Sequence, residues 1–202
     1  MTYIFQPDRF NRTKIKQAIN QYGVWVKNHL AAGWSGYFLT YLFNRLSGSQ
    51  AQINRIQKSE IERSYSSLLT RLIRRPHAFD ATRPILIASP DWPVPKLEKK
   101  TISEIITNDG LHHHGILLVA PPDRHYRLKI PVEDHLIDQQ AYYTRDGLIK
   151  SLKAQPFPVT DAETVTDYAL KGLKAGRNLD DESILLLPST HRIKRPYIKR
   201  EP

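Results

Sequence analysis

A chain of 202 residues, 40% of them hydrophobic and 25% charged, can bury one real core and barely two, and it is too apolar for a disordered body. The absence of cysteine excludes a disulfide framework and a thiolate zinc site. A formal net charge of +10 points to a polyanionic partner such as nucleic acid, the alternatives being a ribosome- or membrane-surface protein or simply a basic soluble one. The first residues, Met1 to Asp8, lack the basic and apolar regions of a signal peptide. No stretch reaches the ~18 uninterrupted apolar residues of a membrane span, so the expected location is the cytosol.

Residues 14–30 place Ile15, Ala18, Ile19, Tyr22, Val26 and Leu30 on one helix face. Gly33, Ser35 and Gly36 interrupt that pattern, and the aromatic and apolar run 37–43 follows as a buried strand. After Ser47-Gly48-Ser49, residues 50–75 form a long helix, with Ile53, Ile56, Ile61, Tyr65, Leu68, Leu69 and Leu72 inward and Pro76 as its stop. Residues 84–88 are a short strand, and Pro90, Pro93 and Pro95 make the next stretch a rigid loop.

Residues 101–107 and 111–119 are two strands joined by a hairpin turn at Asn108-Asp109-Gly110. A further strand is expected over 126–130, then a helix over 135–153 with a break near Asp146-Gly147, then a linker containing Pro156 and Pro158. Residues 161–174 are the last helix, capped by Asp161 or Thr160 and ended by Gly176. One domain is expected over 1–187, and the basic remainder, 188–202, is a tail that is mobile or ordered by DNA.

His112-His113-His114 falls within a strand. Side chains alternate there, so His112 and His114 share a face and His113 takes the other. Two imidazoles on one face either form a polar patch at a strand end or bind a divalent ion. Glu104 lies on the partner strand of the hairpin, where its carboxylate is a candidate third ligand. Such a set leaves positions open for water and a phosphate oxygen and suits Mg²⁺ or Mn²⁺, with zinc compatible as well.

On the last helix, Tyr168 and Lys171 are three residues apart and lie on one face, which Lys174 continues. A tyrosine oxygen can attack phosphorus when a cation or a metal-polarised phosphate assists it, and Lys171 is a candidate for that cation. The alternative is a surface helix whose tyrosine packs on the core.

Three features stand in order: Phe38-Leu39-Thr40-Tyr41-Leu42 on an early strand, Glu104 followed by His112-His113-His114-Gly115, and Tyr168-Ala169-Leu170-Lys171 on a later helix. Together they resemble the HUH endonucleases, in particular the single-tyrosine initiators of rolling-circle replication. That family carries hydrophobic-hydrophobic-Thr-Tyr-Pro, His-hydrophobic-His and Tyr-x-x-Lys motifs. The likeness rests on motif order over residues 37–174. Leu42 stands where the family has proline, and His113 where it has a hydrophobic residue.

The resemblance implies an α+β fold with a central antiparallel sheet of about five strands, the histidine strand near its middle and helices on both sides. It implies Mg²⁺ or Mn²⁺ held by His112, His114 and Glu104, with His125 and His135 as lesser substitutes for the third position. Tyr168 would attack the scissile phosphate of single-stranded or hairpin DNA, leaving a 5′-phosphotyrosine and a free 3′-hydroxyl. Lys171 would position that phosphate. Thr40 and Tyr41 would floor the site or contact DNA. By their charge, Lys174 and the tail residues Arg192, Lys194 and Arg195 are further candidates for DNA contact. No Gly-x-x-x-x-Gly-Lys-Ser/Thr loop is present, so unwinding would fall to a host helicase. Transposases and mobilisation relaxases share this chemistry.

Two non-enzymatic alternatives use the same charge. A single-strand binder would stack bases on Trp34, Tyr37, Tyr41 and Trp92. A duplex-binding regulator would use Arg71, Arg74, Arg75 and the tail. Tyr142 and Tyr143 are alternative nucleophiles, although Arg145 rather than lysine follows Tyr142 at the third position.

Overall fold

The computed structural model describes residues 9–74, 76, 83–91, 112–123, 126–174 and 184–188. Its strands are β1 (Ser35–Phe43), β2 (Ile85–Asp91), β3 (His112–Val119), β4 (Ile149–Phe157) and β5 (Leu185–Leu187). They form one open antiparallel sheet in the order β4-β1-β3-β2-β5, so the histidine strand is central, as expected. The helices are α1 (Arg9–Ala31), α2 (Gln50–Leu72), α3 (Val132–Asp138), α4 (Gln140–Thr144), α5 (Ala162–Ala169) and α6 (Lys171–Lys174). Among the described residues no helix is long and apolar enough to cross a membrane.

Alternation along the strands sorts the core into two layers. Leu39, Tyr41 and Phe43 of β1, with Leu117 and Val119 of β3, pack against Ile61, Leu68 and Leu72 of α2 and Leu136 of α3. On the other face Ile116 and Leu118 of β3, with Ile87 of β2, meet Ile15, Ile19 and Val26 of α1 and Ala169, Leu170 and Leu173 around the end of α5. Ser49 caps α2, accepting a hydrogen bond from the Gln52 backbone N–H at 3.3 Å.

Four expectations change. First, β2 does not stop before Pro90 but runs through it, pairing Pro90 with His113 and Asp91 with His112. The ladder between β2 and β5 spans only Leu86 to Ala88, so beyond it β2 is an edge among the described residues, where a missing N–H is tolerated. Second, 126–130 is not a strand. Tyr126 makes one isolated bridge to Ile73, and Arg127 donates its N–H to the Leu72 carbonyl at 2.8 Å, so this segment crosses the end of α2.

Third, the helix expected over 135–153 is two short helices followed by a strand. Gly147, at φ 70°, turns the chain, and Ile149 and Leu152 are buried while Lys150 and Lys153 are exposed. β4 is an outer strand, so it carries Pro156 without losing a needed hydrogen bond. The Gln140 side chain covers part of its edge, donating to the Leu152 carbonyl at 2.8 Å and accepting from the Leu152 N–H at 2.8 Å. Fourth, the last helix breaks at Leu170, and neither Asp161 nor Thr160 makes a side-chain cap to it. Thr160 instead donates to the Asp161 carboxylate at 3.0 Å. The predicted strand 101–107, the turn at 108–110 and Gly176 lie outside the described residues.

α6 packs directly on β2, and a Cβ at Gly172 would run into the Pro90 carbonyl oxygen. Gly172→Ala should therefore destabilise the protein by about 1–3 kcal/mol, the usual cost of an added methyl in a close-packed contact. Thermal denaturation reads this directly, and an unchanged midpoint would show that α6 moves freely off β2.

Candidate active site

Register determines which side chains meet. On the face that carries α1, α5 and α6, His112 of β3 lies opposite Asp91 of β2, and His114 lies between Ser89 of β2 and Thr40 of β1. Lys153 of β4 lies opposite Thr40 in the same row. His114 Nε2 is 3.1 Å from Asp91 Oδ2, and Lys171 Nζ is 3.0 Å from the same oxygen. The Lys171 ammonium is also 4.0 Å from the centre of the Tyr168 ring. That ring lies 5.2 Å from the His114 ring and 5.7 Å from Phe38, centre to centre. Tyr168 is 50% exposed, so its ring closes one side of the cluster and is still open to a ligand.

The electrostatics follow from this packing. Partial burial opposes ionisation of Asp91, but hydrogen bonds from His114 and Lys171 outweigh it and hold the carboxyl below its ordinary range. Burial likewise opposes the charge on Lys171, and its contacts with Asp91 and Tyr168 overcome this and raise its pKa. His112 is pushed down, first by burial, with Asp91 opposing and the neighbouring His114 and Lys171 adding to the shift. At neutral pH the cluster is thus a carboxylate with a fixed ammonium beside it, next to a histidine that favours its neutral, ligating form.

His112, His114, Thr40, Tyr168 and Lys171 are brought onto one face. Tyr41 is not: it is 1% exposed in the opposite core layer, and the Ser64 hydroxyl donates to its phenol at 3.3 Å. Its expected role in flooring the site or touching DNA is corrected, because alternation turns it away from His114. Tyr143 is fully buried in that same layer, and Tyr142 packs against it, so neither shares a face with His112 and His114. His135 is in that layer too, 3.0 Å from the Tyr143 hydroxyl. Glu104, His125, Trp92, Arg75, Arg192, Lys194, Arg195 and the side chain of Lys174 lie outside the described residues.

Asp91 is the member of the cluster that the sequence concealed. It follows a proline in a stretch that reads as loop, and only the continuation of β2 brings it level with His112. Lys153 was hidden in the same way by an expected helix.

Mg²⁺ or Mn²⁺ is the cofactor the motifs imply. Among the described residues no three histidine or acidic side chains are gathered tightly enough to enclose an ion. The donor chemistry nevertheless suits one. His114 and Asp91 are donors of the types such an ion takes, although here they contact each other at 3.1 Å and the same Asp91 oxygen also holds Lys171 at 3.0 Å. His112 stands on the same face. Comparison with protein-family models, with curated proteins and with solved structures finds no match to this chain.

His113 takes the other face, as alternation predicted. It is 2% exposed, lies edge-on to Phe43 at 5.6 Å, and its Nδ1 has no hydrogen-bond partner among the described residues. Burial, reinforced by Lys58 and His114, pushes its pKa down to about 3. The unfolded chain takes up this proton near pH 6.5 and the folded protein only near 3. The unfolded state therefore binds more protons between those values, and stability falls as pH drops through that window, by up to about 1.4 kcal/mol per pH unit. His113→Leu should flatten this dependence in urea titrations at pH 7 and 4.5. The same slope in both proteins would mean that the imidazole is hydrated.

Proposed function

We propose that this protein is a metal-dependent nuclease that nicks and rejoins single-stranded DNA through a covalent phosphotyrosine at Tyr168, in the manner of a rolling-circle replication initiator. The observation that supports this reading is the contact of Tyr168, His114, Lys171 and Asp91 across three separate segments of chain. A tyrosine chosen only for packing would not need a fixed ammonium and a histidine–carboxylate pair around its ring.

In this reading the Tyr168 oxygen attacks phosphorus in line. The new bond is tyrosine O–P and the broken bond is P–O3′. The phenol gives up its proton, and the departing 3′-oxygen takes one up to become the free hydroxyl. Rejoining is the reverse, with the 3′-hydroxyl attacking the phosphotyrosine. The Lys171 ammonium faces the negative charge that grows on the phosphate oxygens, and Asp91 fixes its position. Phe38 supports the Tyr168 ring from below, and Lys153 extends the positive face toward β4. His112, His114 and Asp91, or Glu104 in place of Asp91, would hold the divalent ion, which supplies Lewis-acid polarisation of a phosphate oxygen. The proposed substrate is single-stranded or hairpin DNA, and the setting a plasmid or phage-like element that borrows a host helicase.

Incubation with a library of labelled single-stranded stem-loops and Mn²⁺ should yield a covalent adduct that mass spectrometry assigns to Tyr168. Chelator and Tyr168→Phe should each abolish it, and Lys171→Ala should slow its formation by about 100-fold or more. An adduct that persists in Tyr168→Phe would sink the assignment.

Metal binding is tested separately. Paramagnetic resonance of Mn²⁺ should show affinity lower by at least about tenfold in Asp91→Asn and in His114→Ala. A larger loss in Glu104→Gln than in Asp91→Asn would give the third position to Glu104.

A further inference from the structure

α2 presents Arg63, Ser67 and Arg71 at successive four-residue steps, forming one stripe along the helix. Arg63 is committed: it bonds Glu60 at 2.8 Å, Asp146 at 3.4 Å and the Tyr143 carbonyl at 3.2 Å. Arg71 is engaged differently. Its guanidinium carbon lies 5.4 Å from the centre of the Tyr142 ring on α4, and that of Arg145 lies 5.1 Å from the same ring. Arg145 otherwise has a 3.7 Å contact with Asp146, a carboxylate it shares with Arg63. Among the described residues no carboxylate forms an ion pair with Arg71.

Two guanidinium groups thus converge on one aromatic ring, and the carboxylate that contacts Arg145, Asp146, is shared with Arg63. Their mutual repulsion is a cost that an anion would remove. The ring is occupied by the protein's own cations, so it is not a platform for stacking a base. The guanidinium forks retain N–H donors of the kind that suits phosphate oxygens. Hydroxyls of Ser67 and Tyr142 adjoin them, and the Ser67 hydrogen bond, followed by the two arginines, lowers the Tyr142 pKa. The surroundings thus already favour an oxyanion.

We infer that Arg71, Tyr142, Arg145 and Ser67 form a second binding site, for the phosphodiester backbone of a nucleic acid, on the sheet face opposite Tyr168. The net charge of +10 favours the same partner. The site reads backbone charge and not bases, so it is indifferent to sequence. It needs only nucleic-acid phosphate and stands independently of the nicking reaction. A strand held here is a different part of the substrate from the one lying on Tyr168.

The test is fluorescence anisotropy on the full chain, without metal, over a series of salt concentrations. The probes are a labelled stem-loop and an unpaired oligonucleotide of the same length. Arg71→Gln with Arg145→Gln should weaken binding about tenfold and reduce the salt slope by about 1 to 2. The single variant Arg145→Gln, at a side chain 56% exposed, should show part of the effect with an unchanged thermal midpoint. Lys14→Gln with Lys16→Gln, an equal charge change on α1, should weaken binding far less. A loss confined to the stem-loop assigns the site to duplex backbone, and a loss on both probes to the backbone of either form. Equal losses in the arginine and lysine pairs, or none in the arginine pair, overturn the proposal. Adduct formation at Tyr168 is read in parallel: its absence from the wild type counts against the nuclease and leaves the binding result intact.

Discussion

The Asp91 carboxylate ties three parts of the chain together. One oxygen contacts His114 on the central strand and Lys171 on the last helix, and it is carried by the end of β2. Each partner comes from an element placed by its own core contacts: Leu117 and Ile116 seat β3, and Leu170 and Leu173 seat the break and the final turn. The polar cluster therefore has little freedom. A carboxylate at 18% exposure beside an ammonium at 30% is shielded enough for its partners to matter and open enough to exchange them.

The break at Leu170 belongs to the same arrangement. α6 lies on the Pro90 backbone where only a glycine fits, which brings Lys171 within 3.0 Å of Asp91. Tyr168, on the preceding turn, stays half exposed against Phe38 and His114. Close helix–strand contact and an accessible phenol are thus consequences of one local geometry.

The sheet also separates two kinds of tyrosine. Tyr41, Tyr65 and Tyr143 are buried, and burial raises their pKa values, so they are kept neutral as packing groups. Tyr168 and Tyr142 are accessible, and each is attended by cations: Lys171 for the first, Arg71 and Arg145 for the second. Tyr168 and Tyr142 lie on opposite faces of the sheet, so their attendant cations are separated by it.

The α+β class and the central place of the histidine strand were expectations of the family resemblance, and the five-stranded sheet has both. The sequence by itself determined the facing of the three imidazoles, through period-two alternation. It also placed Tyr168 and Lys171 together, because three-residue spacing is local geometry. Tertiary structure alone decided that Pro90 sits in a strand, since its tolerance depends on where the β5 ladder ends. It alone decided that 149–157 is an edge strand, since Gly147 and the pairing with β1 outweigh helical propensity. Asp91 as the partner of His114 and Lys171, and Tyr41 as a core residue, follow from register and face. These are relations between distant segments, and no local pattern in the chain encodes them.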